Sequence, residues 1–168
     1  MSDRTAIVTG AGKRVGRYIA EALLSDGWTV LAHVHHDDDS VPDGASKVAA
    51  DLAEPDCAAR IFSAAAALAP VGLLVNNASR FSWDGFGAFS ADELFSHMAV
   101  NVGAPALLID EFTRSRRTDD SAIVNLLDSK LAAPNPDYLS YTLSKAALAQ
   151  LTELAARALA PEGIRVNG

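Results

Sequence analysis

A single cysteine, Cys57, stands among the 168 residues, so no disulfide can close within the chain and a bridged framework is excluded. Long apolar runs are missing too. None reaches the roughly 18 residues that a membrane-crossing helix needs, so no membrane partner is expected. Met1-Ser-Asp-Arg-Thr-Ala-Ile-Val8 leads straight into strand-like sequence, without an apolar signal stretch and cleavage site. These features fit a cytoplasmic address. Positive charge is in deficit, with 14 Lys and Arg against 21 Asp and Glu and a net charge of -7. That disfavours nonspecific nucleic-acid binding but leaves room for a local basic phosphate pocket. Apolar residues, by contrast, make up 49% of the chain, which argues against disorder. The length suits one domain with a sizeable core. No short-period repeat or internal boundary divides residues 1–168.

Strand-like and helix-like segments alternate. Residues 5–9 read as a short buried strand, followed by a glycine-rich turn and an amphipathic helix to about residue 25, where Asp26-Gly27 is a stop signal. Residues 28–34 form a second strand, 37–44 a loop and 46–50 a third strand. Pro55 starts a helix predicted to run to residue 69. Residues 71–76 are a fourth strand and 79–89 a Gly- and Phe-rich loop. Ser90-Ala-Asp-Glu93 resembles a capping box, opening a helix interrupted near Gly103-Ala-Pro105 and reaching about residue 117. A strand at 121–127, a long helix at 138–159 and a sixth strand at 164–167 complete the series. Strands separated by helical crossovers imply a parallel sheet, and continuously apolar strands imply helices on both faces. The expected fold is α/β, a three-layer doubly wound sheet of the Rossmann type. Such a sheet should continue past Gly168, so the sequence reads as cut short after its sixth strand.

The first turn suits a dinucleotide. Gly10, Gly12 and Gly16 let the backbone approach a pyrophosphate, and the helix that follows supplies free N–H groups. The spacing departs from Gly-x-Gly-x-x-Gly, and Lys13 lacks both the upstream glycine and the following Ser or Thr of a P-loop. Arg14 can meet a phosphate or a substrate, or serve as an exposed helix charge. No acid ends the second strand, where one would bond ribose hydroxyls. His33, His35 and His36 stand there instead and could receive a 2'-phosphate, which Asp37 to Asp39 would oppose if close. His35 and His36 point to opposite sides of a continued strand with no cysteine nearby, so no metal site is expected. Asp51 could accept from an adenine amino group or act as an N-cap before Pro55. Asn76-Asn77 can shape a cofactor-facing turn.

The second cluster is reactive. Tyr141 and Lys145 are four residues apart, which puts a phenol and an ammonium on one helix face. An ammonium beside a phenol favours the phenolate. Asp128 lies thirteen residues before Tyr141 and closes the fifth strand. In a doubly wound sheet, strand ends and adjoining helix starts share one crevice. The pattern points to hydride transfer: Tyr141 gives a proton to the reduced centre, Lys145 lowers its pKa and bonds the nicotinamide ribose, and Asn101 holds a water that connects Lys145 to solvent.

Together, Thr9-Gly-Ala-Gly-Lys-Arg-Val-Gly16, Asn76-Asn-Ala78, Asn101, Tyr141-Thr-Leu-Ser-Lys145 and Arg165-Val-Asn-Gly168 closely resemble the short-chain dehydrogenase/reductase family. The resemblance implies a Rossmann fold, NAD or NADP, and a homodimer or homotetramer. It implies cofactor contacts from Gly10, Gly12, Lys13, Arg14, Val15, Gly16, Asp51, Leu52, Asn77, Ala78, Ser79, Tyr141 and Lys145. The family places serine where this sequence has Asp128. That aspartate, the arginine of Thr-Gly-x-x-x-Arg-x-Gly, His33-Val-His35 and Asn77-Ala-Ser79-Arg-Phe81 resemble the pteridine reductase and dihydromonapterin reductase branch. By that likeness His35 receives the NADPH 2'-phosphate, Arg14 contacts phosphate and pterin, Ser79 binds cofactor or pterin, and Phe81 stacks over the pterin. Trp83 and Phe86 line the same entrance. His36 and Asp37 stand where the branch often has arginine and serine, which leaves NADH as the second choice after NADPH.

The expected activity is reduction of a C=N bond of a dihydropterin such as dihydromonapterin, dihydrobiopterin or dihydrofolate. Asp128 would accept from ring N–H groups or help Tyr141 deliver a proton; as a direct acid it would need a raised pKa. The rivals are a carbonyl reductase or alcohol dehydrogenase, for which an ionised Asp128 is a poor oxyanion partner, and a catalytically silent nucleotide-binding scaffold.

Overall fold

The computed structural model describes residues 4–115 and 117–168. Six strands, β1 (Thr5–Val8), β2 (Thr29–Val34), β3 (Ser46–Ala49), β4 (Val71–Asn76), β5 (Arg117–Asn125) and β6 (Ile164–Asn167), form one sheet in the order β3-β2-β1-β4-β5-β6. Every pairing is parallel. The order reverses between β1 and β4, and the crevice beyond the C-terminal ends of strands at such a reversal is where doubly wound sheets bind ligands.

Alternate residues of the strands feed two cores, as the period of a strand requires. Ile7, Leu31, Leu74, Ile123 and Ile164 face helices α2 (Cys57–Ala65), α4 (Ala104–Arg114) and α5 (Leu139–Leu159). Val8, Val30, Ala32 and Val75 face the other way, toward Ala20, Ile19 and Leu23 of helix α1 (Arg14–Ser25). The sheet is therefore the middle of three layers, as expected. Helix α3 (Ala91–Met98) begins at Ser90, whose hydroxyl accepts from the Glu93 N–H at 3.1 Å, half of the predicted capping box. Among the described residues no helix is long and apolar enough to cross a membrane.

Boundaries differ where local sequence is ambiguous. Helix α2 is shorter than 55–69: it starts at Cys57, after turn bonds over Asp51–Glu54 and Glu54–Cys57, and ends at Ala65. The interruption between α3 and α4 is a π-helical turn, Ala99–Gly103. Pro105 has no N–H to return to residue 101, and a widened turn accommodates that gap. Helix α4 stops at Arg114 rather than 117, and β5 starts at Arg117 and ends at Asn125. Asp128 therefore lies beyond the strand, as the N-cap of a 3-10 turn, Ser129–Leu131, where its carboxylate accepts from the Lys130 N–H at 2.8 Å.

Candidate active site

The glycine turn is held from three strands. Thr9 Oγ1 accepts from the N–H groups of Asn77 and Ala78, each at 3.0 Å, and Asn77 Nδ2 donates to the Thr9 carbonyl at 2.8 Å. Gly10 has φ 67, a left-handed conformation that a side chain would strain. A Cβ on Gly16 would stand 2.3 Å from the Gly10 carbonyl oxygen and 2.4 Å from Asn77 Nδ2. Space that tight admits glycine alone. The first turn of α1 contains no acid and Lys13 makes no side-chain cap, so its N–H groups and positive helix end favour a bound phosphate. Lys13, Arg14 and Val15 are exposed beside it, and Arg14 has φ 51, a backbone strain of the kind that gathers at functional sites. Turn and helix end thus fit the pyrophosphate of a dinucleotide.

The histidines part company. His35 and His36 are exposed at the end of β2, their rings 4.0 Å apart edge to face. Asp39 lies close: its carboxylate accepts from the His36 N–H at 3.0 Å, and that bond holds its pKa below the usual carboxylate value. A phosphate reaching His36 would meet Asp39 as a neighbouring anion. His33 corrects the expectation of a phosphate ligand. It is 2% exposed, its Nδ1 accepts from the Gly10 N–H at 3.2 Å, and its Nε2 lies 3.0 Å from the Ala50 carbonyl. Only a neutral ring with its proton on Nε2 satisfies both partners. Burial, the largest influence, lowers its pKa accordingly. Asp51 accepts from the Ala53 N–H at 2.9 Å, while Asp56 occupies the N-cap position of α2 without a side-chain cap bond, so Asp51 is not the helix N-cap. The Leu52 side chain is buried in the core, so any contact it makes with a nucleotide is through its backbone.

At the other end, the Tyr141 hydroxyl donates to Asp128 Oδ2 at 2.6 Å. Burial, then this bond to an anion, raises the Tyr141 pKa well above that of a free phenol. Asp128 moves the opposite way: the Tyr141 hydroxyl first and the Lys130 N–H second hold its carboxyl below the usual range. Lys145 donates to the Leu126 carbonyl at 2.6 Å, and its Nζ lies 5.8 Å from the Tyr141 ring centroid. Burial lowers its pKa. Against the expectation of a phenolate favoured by Lys145, the phenol's partner is a carboxylate, and burial and that anion push the Tyr141 pKa up rather than down. The Asp128 carboxyl is shifted down, away from the raised pKa that a direct acid would need.

Asn101, buried in the π turn, carries four bonds. Its Oδ1 accepts from the Arg80 N–H at 2.7 Å and the Ser79 hydroxyl at 3.1 Å; its Nδ2 donates to the Arg80 carbonyl at 3.0 Å and Ser144 Oγ at 2.9 Å. With its side-chain amide full, Asn101 has only its backbone left to hold the water expected for Lys145. The amide itself fixes the loop after β4 to helix α5. In that loop Phe81 is 58% exposed, stacked on Tyr138 at 4.3 Å and 11°, and edge-on to Tyr141 at 4.7 Å. Trp83 and Phe86 are exposed in the same loop.

Sequence reasoning missed the groups that hold this loop. Arg80 and Ser82 both donate to Glu93, at 2.9 and 2.7 Å, and the buried His97 faces the Ser82 N–H at 3.3 Å. Asp84 bonds Ser140 of α5. The available signal was the alternation in Arg80-Phe-Ser-Trp-Asp84, polar residues at even positions and aromatic at odd ones, the mark of an extended segment with two faces.

A model of the family described as short chain dehydrogenase matches residues 4–168. Pteridine reductase 1 from Leishmania tarentolae is 35% identical, the match covering 97% of this chain and 74% of that protein. L-xylulose reductase from Mesocricetus auratus is 32% identical over 99% of this chain and 70% of its own length. The crystal structure of FolM alternative dihydrofolate reductase 1 from Brucella canis, complexed with NADP, superposes with a TM-score of 0.87 at 35% identity, covering 97% of this chain and 70% of that one.

Proposed function

Since the chain belongs to the short-chain dehydrogenase family and is an NADP-dependent oxidoreductase, we propose that it reduces a C=N bond of a dihydropterin, with Tyr141 as the proton donor. The observation that carries this reading is the 2.6 Å bond between the Tyr141 hydroxyl and an ionised Asp128. Reducing C=N needs hydride at carbon and a proton at nitrogen. NADPH, when bound, supplies the hydride. Gly10, Gly12, Lys13, Arg14, Val15 and Gly16 would hold its pyrophosphate, His35 and His36 its 2'-phosphate, and Lys145 its nicotinamide ribose. Tyr141, kept protonated by its buried and anionic surroundings, delivers the proton. Asp128 can accept from the N–H groups that edge a pterin, whereas a developing alkoxide would be repelled by it. Exposed Phe81 offers a flat face to a planar ring, and the exposed Arg14 and Ser79 would be further contacts. The likeness to pteridine reductase and to the dihydrofolate reductase structure supports this choice.

The likeness to L-xylulose reductase favours a second reading, a carbonyl reductase. One assay separates the two: oxidation of NADPH, and of NADH in parallel, with dihydromonapterin, dihydrobiopterin, dihydrofolate and a panel of carbonyl compounds, on the wild type and Asp128→Ser. The expected result is pterin-dependent NADPH oxidation that falls about 10- to 100-fold in the variant, the worth of one charge-assisted hydrogen bond. Carbonyl turnover without pterin turnover, rising when serine replaces Asp128, overturns the proposal.

Self-association as a homodimer or homotetramer is part of the same proposal. Leu107 of α4, Leu143 and Leu154 of α5 and Phe95 of α3 are large apolar residues left exposed on neighbouring helices. A cytoplasmic site of action, suited to a chain whose lone cysteine is a buried thiol, completes it.

A further inference from the structure

Helix α5 carries both Tyr141 and Lys145, yet its start is not capped by its own sequence. The N-cap residue, Tyr138, has a left-handed backbone (φ 58) and makes no side-chain cap, and the first turn contains no acid. Ser, Thr, Asp or Asn is the usual solution at that position. Here the cap comes from elsewhere in the chain. Asp84 Oδ1 accepts from the Ser140 N–H at 2.9 Å, across 56 residues of sequence, and Oδ2 accepts from the Ser140 hydroxyl. The Asp84 carbonyl accepts from the Leu139 N–H at 3.2 Å. Asp84 is 1% exposed, between Trp83 at 60% and Gly85 and Phe86, the latter at 85%. Among the described residues its side-chain partners are these groups of Ser140, so the positive end of α5 and two donors stabilise the buried carboxylate.

The rest of the loop has the same construction. Arg80 and Ser82 are tied to Glu93, and Arg80 to Asn101, while Phe81 and Trp83 project outward. Phe81 then lies flat on Tyr138, the residue directly before α5, and edge-on to Tyr141. Two fastenings, one a pair of hydrogen bonds to a carboxyl side chain and one aromatic, therefore join the loop to the start of the helix that bears Tyr141.

We propose that Asp84 is a positioning residue: by capping α5 from the aromatic loop, it fixes the distance between the Phe81 face and the Tyr141 hydroxyl, so that a planar ring seated on one is in reach of the other. This rests on the reading that a flat heteroaromatic substrate is reduced at Tyr141, but the mechanical link is independent of substrate. A carboxylate suits the task because it accepts on both oxygens at once, whereas an amide accepts on one and donates on the other. Without it, the Ser140 N–H and the Ser140 hydroxyl lose their partner and the loop loses its side-chain anchor. Misplacement of about 1 Å in a reacting pair costs on the order of 100-fold in rate.

The test compares wild type with Asp84→Ala, Asp84→Asn, Ser140→Ala and the Asp84→Ala/Ser140→Ala double variant. Amide hydrogen exchange is read at residues 80–85 and 139–142 and, as reference, in β1 and β4. NADPH affinity and dihydropterin kcat and KM are measured on the same proteins. In Asp84→Ala both segments should exchange faster together while β1 and β4 keep their protection. Its kcat should fall about 10- to 100-fold with the NADPH Kd within about twofold of wild type, since the proposed pyrophosphate and 2'-phosphate contacts lie on the turn after β1, on α1 and after β2 rather than on α5. Asp84→Asn should recover most of the loss, because Ser140 Oγ can accept from the amide. Ser140→Ala should give the same pattern more weakly, and the double variant should be no worse than Asp84→Ala, as for two members of one contact. Exchange that rises everywhere, or in one segment without the other, overturns the proposal. So does wild-type kcat in Asp84→Ala, or an NADPH Kd that rises in step with the loss of rate. If the two segments open together but the wild type turns over no pterin, the link stands and the assigned substrate falls.

Discussion

At the cofactor end of the crevice, Thr9, Gly10, Gly16, His33 and Asn77 interlock through backbone groups and short polar side chains at the ends of β1, β2 and β4. At the reacting end, Arg80, Ser82, Asp84 and Glu93 fasten an exposed loop to helices α3 and α5 through charged and hydroxyl side chains. The first region is rigid because nothing larger fits. The second is ordered because charges and donors are matched over an otherwise open surface. Changes of size should therefore damage cofactor binding and stability, while changes of charge or hydroxyl should damage turnover. One fold can in this way keep a fixed hydride donor and adjust what is placed against it.

The sharpest separation should come from Tyr141→Phe. The substitution removes only a hydroxyl whose partner is Asp128, and it touches none of the glycine turn. Loss of a positioned proton donor costs about 100- to 10,000-fold in turnover. NADPH affinity, followed by fluorescence titration, should stay within about twofold of wild type, apart from any weak ring contact. An equal loss of both would show that the two ends are one unit and would break the comparison.

Gly16→Ala tests the other side, with a smaller effect. Its Cβ would meet the Gly10 carbonyl oxygen at 2.3 Å and Asn77 Nδ2 at 2.4 Å, neither of them the end of a flexible chain. Overpacking of this kind costs about 1–3 kcal/mol. Urea unfolding should show a lower midpoint, and NADPH affinity should fall with it, while the Phe81 and Tyr141 contacts persist. Unchanged stability would mean that the turn yields more easily than its packing implies.

The sequence revealed the cofactor end better than the reacting end, for a physical reason. Turns that admit only glycine, and strands buried on both faces, leave signals within a few residues; β4 and β6 have the same limits in the structure as in the sequence. Tyr141 and Lys145 share a helix face by their spacing alone. Asp84 and Ser140 are joined across 56 residues, a pairing that no local pattern expresses. The π turn at Ala99–Gly103 was foreseen only as a break, because Pro105 announces a missing N–H without saying how the helix absorbs it. His33 lies inside β2, two residues after Leu31 and on the same buried face, whereas His35 follows the strand's last residue, Val34, and is exposed; a strand end one residue away is not marked by the local sequence.

His33 also gives the finest test of the contrast, through pH. Its ring is buried and neutral, lowered in pKa first by burial and then by His35, against the opposing influences of the Ala50 carbonyl and Asp51. Above the unfolded value, near 6.5, neither state binds the proton and the contribution to stability is complete. As pH falls below that value, the unfolded chain takes up a proton that the folded ring resists, so stability declines until the pH passes the depressed folded pKa. One such group contributes at most about 1.4 kcal/mol per pH unit. Urea unfolding of wild type and His33→Asn at pH 7.5, 6.5 and 5.5 isolates it. The variant should be less stable at pH 7.5, because the Gly10 N–H or the Ala50 carbonyl loses its partner, and should lose less stability on acidification. Parallel slopes in the two proteins would mean that His33 takes up its proton in the folded state, and that the glycine turn does not depend on a neutral imidazole.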